Sequence, residues 1–284
     1  MSSKKDLASS RLVSKKEKIF NWIIFVLLLL GAVVMVFPLI YMIATSFMTK
    51  NQILSGTLTI LPDPILIGKY SEVLKKGQFI NGIFNSLKVA IPVLIIGGFT
   101  SSLAAFGFAK MNALFLALLA TIMIPFAVVM IPQYVMFTKL GWTNTLLPLI
   151  IPGCFGNVSI IFFLRQNLIG IPDDLMEAAK LDGCGYFRTF LQIFMPLMKG
   201  ALATQLMLWF MGIWNDYLAP TIFLRSEKNW TLQVVIRSFN SYYAIQSDYA
   251  LIMAASVIAM IPTMALFFIF QRMIIESIAI SGIK

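Results

Sequence analysis

Glu177, Lys180 and Asp182, preceded by Asp173 and Asp174, place five charges within ten residues of a 284-residue chain in which Asp, Glu, Lys and Arg together make up only 12%. Their chemistry is that of ion pairing and helix capping at a water-exposed surface. Catalysis has little to work with. The chain has no His, its acids are otherwise scattered, and its two cysteines, Cys154 and Cys184, stand far apart. A zinc site, a Ser-His-Asp triad and a disulfide framework are all unsupported. Neither G-x-x-x-x-G-K-[ST] nor G-x-G-x-x-G occurs, so the chain has no recognisable nucleotide-binding loop and is expected to bind no cofactor. If ATP drives it, another chain binds that ATP.

The elements that carry these charges are set by composition. At 59% hydrophobic residues and a mean hydropathy of +0.88, the sequence reads as an all-α integral membrane protein. Its net charge of +10 does not point to nucleic acid, because Lys4, Lys5, Arg11, Lys15, Lys16 and Lys18 crowd ahead of the first apolar run. Residues 1–18 thus read as a basic arm facing anionic lipid, and 19–284 as one transmembrane domain. A helix crosses the hydrocarbon core in roughly 20 apolar residues. On that measure six spans are expected, at about 19–46, 87–109, 112–138, 144–165, 199–224 and 249–273, with a charged loop at 166–198 between the fourth and fifth. An even number puts both termini on one side. Of the 22 Lys and Arg, 13 then fall on the terminal side, which makes that side cytoplasmic. The first run is too long for a signal peptide and is expected to be retained.

Within the loop, Pro172, Asp173 and Asp174 are a helix-start signal and Gly183 a stop. Between them Leu175, Ala178, Ala179 and Leu181 fall largely on one face, and Asp174, Glu177 and Lys180 on another. A second short helix, Tyr186 to Met195, is expected to return the chain to the membrane at Pro196. Periodicity alone fits two uses, a helix that lies on lipid or one that fits a groove on a soluble partner.

Motif favours the second. Glu177-Ala178-Ala179, three residues, Gly183, nine residues and then Ile193-Phe194-Met195-Pro196 resembles the EAA loop of permease subunits of binding-protein-dependent ABC importers. The family pattern has Leu where this chain has Met195. Likeness continues in Asn85-Ser86-Leu87, in Leu140 to Thr145, in Trp214-Asn215-Asp216-Tyr217 and in the ending Ser281-Gly282-Ile283-Lys284. It points to the sugar-importing branch, similar to the smaller maltose-type permease. Family members commonly add a final Gly that is absent here.

The resemblance implies a type I importer permease in a bacterial cytoplasmic membrane. Its implied partners are a second permease, two ATP-binding subunits that hold ATP and magnesium, and an extracytoplasmic solute-binding protein. It implies coupling to the ATP-binding subunit through Glu177, Ala178, Ala179, Leu181, Asp182, Gly183, Ile193 and Pro196, with a second contact at Ser281, Gly282 and Lys284. The expected solute is a carbohydrate, an oligosaccharide ahead of a monosaccharide or a glycerol phosphate conjugate. Trp214, Asn215 and Asp216 are candidates for the translocation path, and Trp230 and Tyr243 for contact with the binding protein. Aromatic belts at membrane interfaces explain the same aromatics equally well. The competing reading is an ion-coupled secondary transporter, which should bury charged residues at mid-membrane; the runs 19–49, 89–109, 111–138, 140–164 and 249–271, which underlie five of the six spans, contain none.

Overall fold

The computed structural model describes residues 15–58, 60–109, 111–172, 174–240 and 247–281. Among these residues five helices are long and apolar enough to cross a membrane, and six if one bent pair counts as a single span. The first, α1 (Lys15–Ser46), carries its apolar side chains on the outside of the bundle over most of its length. Two short helices follow, α2 (Lys50–Leu54), closed by a capping box between Thr49 and Gln52, and α3 (Gly68–Lys75). The Ser46 hydroxyl lies 2.7 Å from the Tyr70 hydroxyl, which ties α3 to the end of α1.

Next comes α4 (Gly77–Phe108), which starts well before the expected residue 87. Gln78, Asn81, Asn85 and Lys88 dilute the apolar run there, yet they do not interrupt a helix whose polar side chains sit at its end. A π-helical turn at Val93–Gly97 follows Pro92, whose ring nitrogen gives no hydrogen to the helical ladder.

The expected third span is broken. Helices α5 (Asn112–Met123) and α6 (Phe126–Lys139) meet at 91°, because Ile124, directly before Pro125, is extended (φ −82°, ψ 108°). The fourth is also divided, into α7 (Leu147–Cys154) and α8 (Val158–Ile169). Gly156 turns the chain at φ +113°, and the Asn157 side chain caps α8 by accepting from the N–H groups of Ser159 (2.9 Å) and Ile160 (3.2 Å). After α9 (Asp174–Leu181) comes α10 (Tyr186–Trp214), then α11 (Leu218–Phe223), α12 (Leu232–Ser238) and α13 (Tyr249–Ser281).

Helices in lipid gain little from hiding apolar surface, so close packing and hydrogen bonds hold them together. Two clusters result. Near α3 and α12, Phe79, Phe210, Trp214, Leu232, Val235, Ala254 and Ala255 pack together. Near α9, Ala105, Phe115, Leu164, Phe190, Phe194 and Met198 do so. The small pairs at helical spacing, Ser101 with Ala105 and Ala255 with Ala259, are all buried.

Between the clusters three helices cross on glycine. A Cβ built on Gly97 would lie 2.3 Å from the Gly153 carbonyl oxygen and 2.6 Å from the Trp209 ring, and one on Gly153 would lie 2.8 Å from Val93. Gly97→Ala is therefore expected to cost about 1–3 kcal/mol or more through overpacking. Gly31→Ala, where nothing lies within 4 Å, should leave stability nearly unchanged. Thermal unfolding of the two variants in detergent checks the contrast.

Candidate functional site

The segment from Gly170 to Gly185 leaves the bundle between α8 and α10 and carries the EAA residues on α9. Glu177, Ala178, Lys180 and Asp182 are exposed, and Leu181 is 89% exposed. Ala179, expected on the same face as Ala178 and Leu181, is instead buried, and Met176 packs against the second cluster. At 100° per residue these two point toward the bundle while Ala178 and Leu181 point away, so the motif's paired alanines are divided between inside and outside.

The turn after α9 depends on one glycine. Cys184 N donates to Ala179 O (2.9 Å) and Gly183 N to Lys180 O (3.0 Å), with Gly183 at φ +76°. This is a Schellman ending with Gly183 in the left-handed position. No atom lies within 4 Å of where its Cβ would be, so its requirement is conformational and not steric.

The helix that follows is longer than expected. Instead of stopping at Pro196, α10 runs from Tyr186 to Trp214, and the segment between spans shortens from 166–198 to about 170–185. A π-helical turn, Phe190–Phe194, loosens the ladder just before Pro196, where its missing donor would otherwise be felt. Ile193 is half-buried against the second cluster and Pro196 is exposed. Around the turn, Tyr186, Phe187 and Leu191 are exposed beside Leu181. Lys180 lies 5.5 Å from the Tyr186 ring centroid.

Arg165, seen in sequence only as a basic residue closing a span, anchors this end. It is buried, donates to Phe108 O (2.8 Å) and Asn112 Oδ1 (2.5 Å), and lies 4.1 Å from the Phe115 ring centroid. It binds the last turn of α8 to the junction of α4 and α5. A cation set on the C-terminal carbonyls of a helix is favourably placed against the helix dipole.

At the opposite end, the polar stretches singled out in the sequence converge on one segment, residues 223–233. Asn144, at φ +60°, accepts from the backbone of Arg225 (3.0 Å) and Ser226 (2.8 Å), donates to Ser226 Oγ (2.7 Å), and gives its own N–H to Phe223 O (2.8 Å). Asn85, buried, donates to the carbonyls of Lys228 (2.9 Å) and Trp230 (3.0 Å), while Ser86 Oγ accepts from Leu232 N (3.0 Å). Gln233 donates to Trp214 O and Asn215 Oδ1.

Of the path candidates, Trp214 is a packing residue. Its ring is buried, stacked on Phe210, and its indole N–H donates to Ala259 O (2.9 Å). Asn215 and Asp216 end the expected 199–224 span early. The Asn215 amide donates to Met211 O (2.9 Å) and the Asp216 carboxylate accepts from Ala219 N (3.3 Å), drawing backbone groups out of a continuous helix. Asp216 also lines a cavity of about 250 Å³, shared with Ser86, Gln133, Pro152, Phe223 and Thr231. Trp230 is half-buried against the first cluster. Tyr243, Gly282 and Lys284 lie outside the described residues, and Ser281 is the last residue of α13.

Residues 94–279 match the family described as binding-protein-dependent transport system inner membrane component. The chain belongs to this family. It is 30% identical over 278 residues to the arabinooligosaccharides transport system permease protein of Halalkalibacterium halodurans, covering 95% of this chain and 99% of that one. It is also 30% identical to the lactose transport system permease protein of Rhizobium radiobacter (87% and 90% covered), and 28% identical to the sn-glycerol-3-phosphate transport system permease protein of Rhizobium meliloti (93% and 98% covered). Among solved structures it resembles a chain of a bacterial ABC transporter involved in the import of the acidic polysaccharide alginate, with a TM-score of 0.80 at 23% identity over 91% of this chain and 98% of that one. The protein is thus a multi-pass membrane permease of the importer fold, a transport subunit and not an enzyme.

At the end of this permease opposite α9, helix α3 and the start of α13 are joined by an ion pair that responds to pH. Lys69 Nζ lies 2.5 Å from Asp248 Oδ2 and 3.0 Å from Glu72 Oε2. Burial pushes the Asp248 carboxyl up, but the Lys69 hydrogen bond and charge outweigh it and hold it below the usual carboxylate range. Burial likewise lowers Lys69, and its two carboxylate partners more than reverse this. A depressed acid contributes stability that is complete above its unfolded value, about 3.9, and lost as pH falls through the lower folded value. A raised lysine contributes stability that is complete below about 10.4 and lost above. The protection of the Gly68–Lys75 amides, taken relative to their intrinsic exchange rates at each pH, is therefore expected to be flat between these limits and to fall below about pH 4. Lys69→Met should remove that acid-side step.

Proposed function

We propose that this permease is one membrane half of an ATP-driven importer for a carbohydrate, working by alternating access with its termini in the cytoplasm of a bacterial cell. In this reading α9 and the exposed Tyr186 and Phe187 enter a cleft of an ATP-binding subunit. Glu177, Asp182 and Lys180 fix the register, and Ala178 and Leu181 supply apolar contact. Ile193 and Pro196 then act from behind, setting the course of α10, and the tail at Ser281 to Lys284 is a second contact. A related permease completes the pathway, two ATP-binding chains hold ATP and magnesium, and a solute-binding protein delivers the sugar to the opposite face.

The observation that carries this reading is the division of α9. Met176 and Ala179 are spent on the bundle, yet Leu181 beside them is left almost wholly exposed next to three charges at a rigid Schellman turn. An interfacial helix resting on lipid would not need that fixed turn. The names of similar permeases, which concern arabinooligosaccharides and lactose, support a carbohydrate, and a solved relative described with a pentasaccharide-bound periplasmic protein supports delivery by a binding protein.

Mass measurement of the complex recovered through this chain, followed by ATPase assay with lactose, arabinotriose and sn-glycerol 3-phosphate, tests the assignment. Two ATP-binding chains, a second permease and sugar-stimulated hydrolysis are expected; recovery of this chain alone from gently extracted membranes would overturn it. Within the complex, Glu177→Lys should lower stimulated ATPase about tenfold, the effect of losing about 1.4 kcal/mol of docking energy. Gly183→Leu should lower it too, since a branched residue at that left-handed position strains the turn by about 1–2 kcal/mol. Gly183→Asn should stay near the parent, because Asn tolerates the conformation.

A further inference from the structure

The cavity of about 250 Å³ lies where α4, α6, α7 and the α11 segment meet, at the end opposite α9. Four polar side chains reach its wall. Thr231 is buried, and its Oγ1 has no hydrogen-bond partner, a costly state for a hydroxyl. Ser86 Oγ accepts the Leu232 N–H and so keeps its own proton to give. Gln133 sits half-buried on α6 with an amide able to donate twice and accept twice. The Asp216 carboxylate accepts from Ala219 N and retains acceptor capacity on its remaining lone pairs. The remaining wall includes the rings of Phe126 and Phe223.

We propose that this cavity is a solute subsite belonging to this subunit, which takes one neutral, hydroxyl-bearing sugar unit on its way through the membrane. The inference rests on the carbohydrate reading above and deepens it. A sugar hydroxyl both donates and accepts, and the wall offers it both a carboxylate acceptor and hydroxyl and amide donors. Pyranose rings also present a C–H face that packs on aromatic rings. An anionic unit is disfavoured by Asp216, so selection runs toward neutral sugars. The unpartnered Thr231 hydroxyl is buried just behind the wall, where a small widening of the cavity brings it within hydrogen-bond reach of an occupant.

Uptake by the assembled importer with its binding protein in vesicles, with lactose, arabinotriose and sn-glycerol 3-phosphate as probes, decides the matter. Gln133→Leu combined with Thr231→Val removes two hydrogen-bonding groups, and maximal uptake of the transported neutral sugar should fall about tenfold. Half-saturation should stay put, because capture by the binding protein precedes the cavity. Thr231→Val also relieves an unsatisfied buried hydroxyl, so the variant is expected to fold, which the recovered mass of the complex verifies. Thr231→Ser, which keeps the hydroxyl, should transport like the parent.

Parental uptake by the double variant, as expected if the cavity holds only water, overturns the proposal. So does equal loss in Thr231→Ser and Thr231→Val, which marks a packing role, and so does preferential uptake of sn-glycerol 3-phosphate. A parental complex that takes up sn-glycerol 3-phosphate and neither neutral sugar overturns the carbohydrate reading itself, and the subsite with it.

Discussion

Inside lipid no water replaces a missing backbone hydrogen bond, so every interruption of a helix must be answered by another group of the chain. That constraint organises this permease. The α7–α8 break frees backbone groups at Cys154 to Ile160, which α4 and the Asn157 side chain answer between them. Thr100 Oγ1 donates to Cys154 O (2.9 Å), Ser101 Oγ accepts from Asn157 N (2.9 Å), and the Asn157 side chain covers the two N–H groups after it. The glycine crossing of Gly97 and Gly153 brings the two helices close enough for those hydroxyls to reach. Substituting bulk at the crossing would therefore remove hydrogen bonds as well as packing.

The same economy explains the end opposite α9. Residues 223–233 hold a single 3-10 turn, Glu227–Asn229, between the end of α11 and the start of α12, and such a segment would unravel if left to itself. Asn85, Ser86, Asn144 and Gln233 each satisfy backbone or side-chain groups in or beside it. Asparagine suits these posts because its short amide both donates and accepts and because it tolerates a positive φ, as Asn144 does. Motif stretches that look unrelated along the chain are thus a single latch in space.

Sequence made the helical, membrane-spanning class plain, because charge-free runs near the length of a bilayer have few other uses. It also marked α9, since Pro172, Asp174 and Gly183 are local signals that act through adjacent backbone. What hydropathy missed was wherever polarity and helicity part company. Gln78, Asn81 and Lys88 hid the first turns of α4, and Arg188 and Lys199 hid those of α10. The bend at Ile124-Pro125 needed a choice between a kinked and a broken helix, which composition does not make. Trp214 read as a path residue because an indole near a membrane interface suits either role; its partner, the Ala259 carbonyl, lies on a helix 45 residues away. Long-range partners of this kind leave no periodic trace, and Arg165 with Phe108 is another.

The two ends are joined through α10 more than through any local contact. Its 29 residues form one rod, about 43 Å long at 1.5 Å per residue. It begins beside the Gly183 turn and ends at Trp214, whose indole holds α13 and whose carbonyl takes the Gln233 amide of α12. The rod is relaxed only at the π turn, and there Phe190 and Phe194 are buried against Phe106 of α4. In the importer reading, a pull on α9 has two routes inward. One runs through Arg165 to the α4–α5 junction, and the other along α10 to the wall of the cavity at Ile213 and Asp216. Because α4 lines that same cavity through Ser86 and Val89, both routes terminate on it from different sides. Relative movement of α4 and α10 would then change the shape of the cavity without any of its polar groups having to touch the partner that supplies the force.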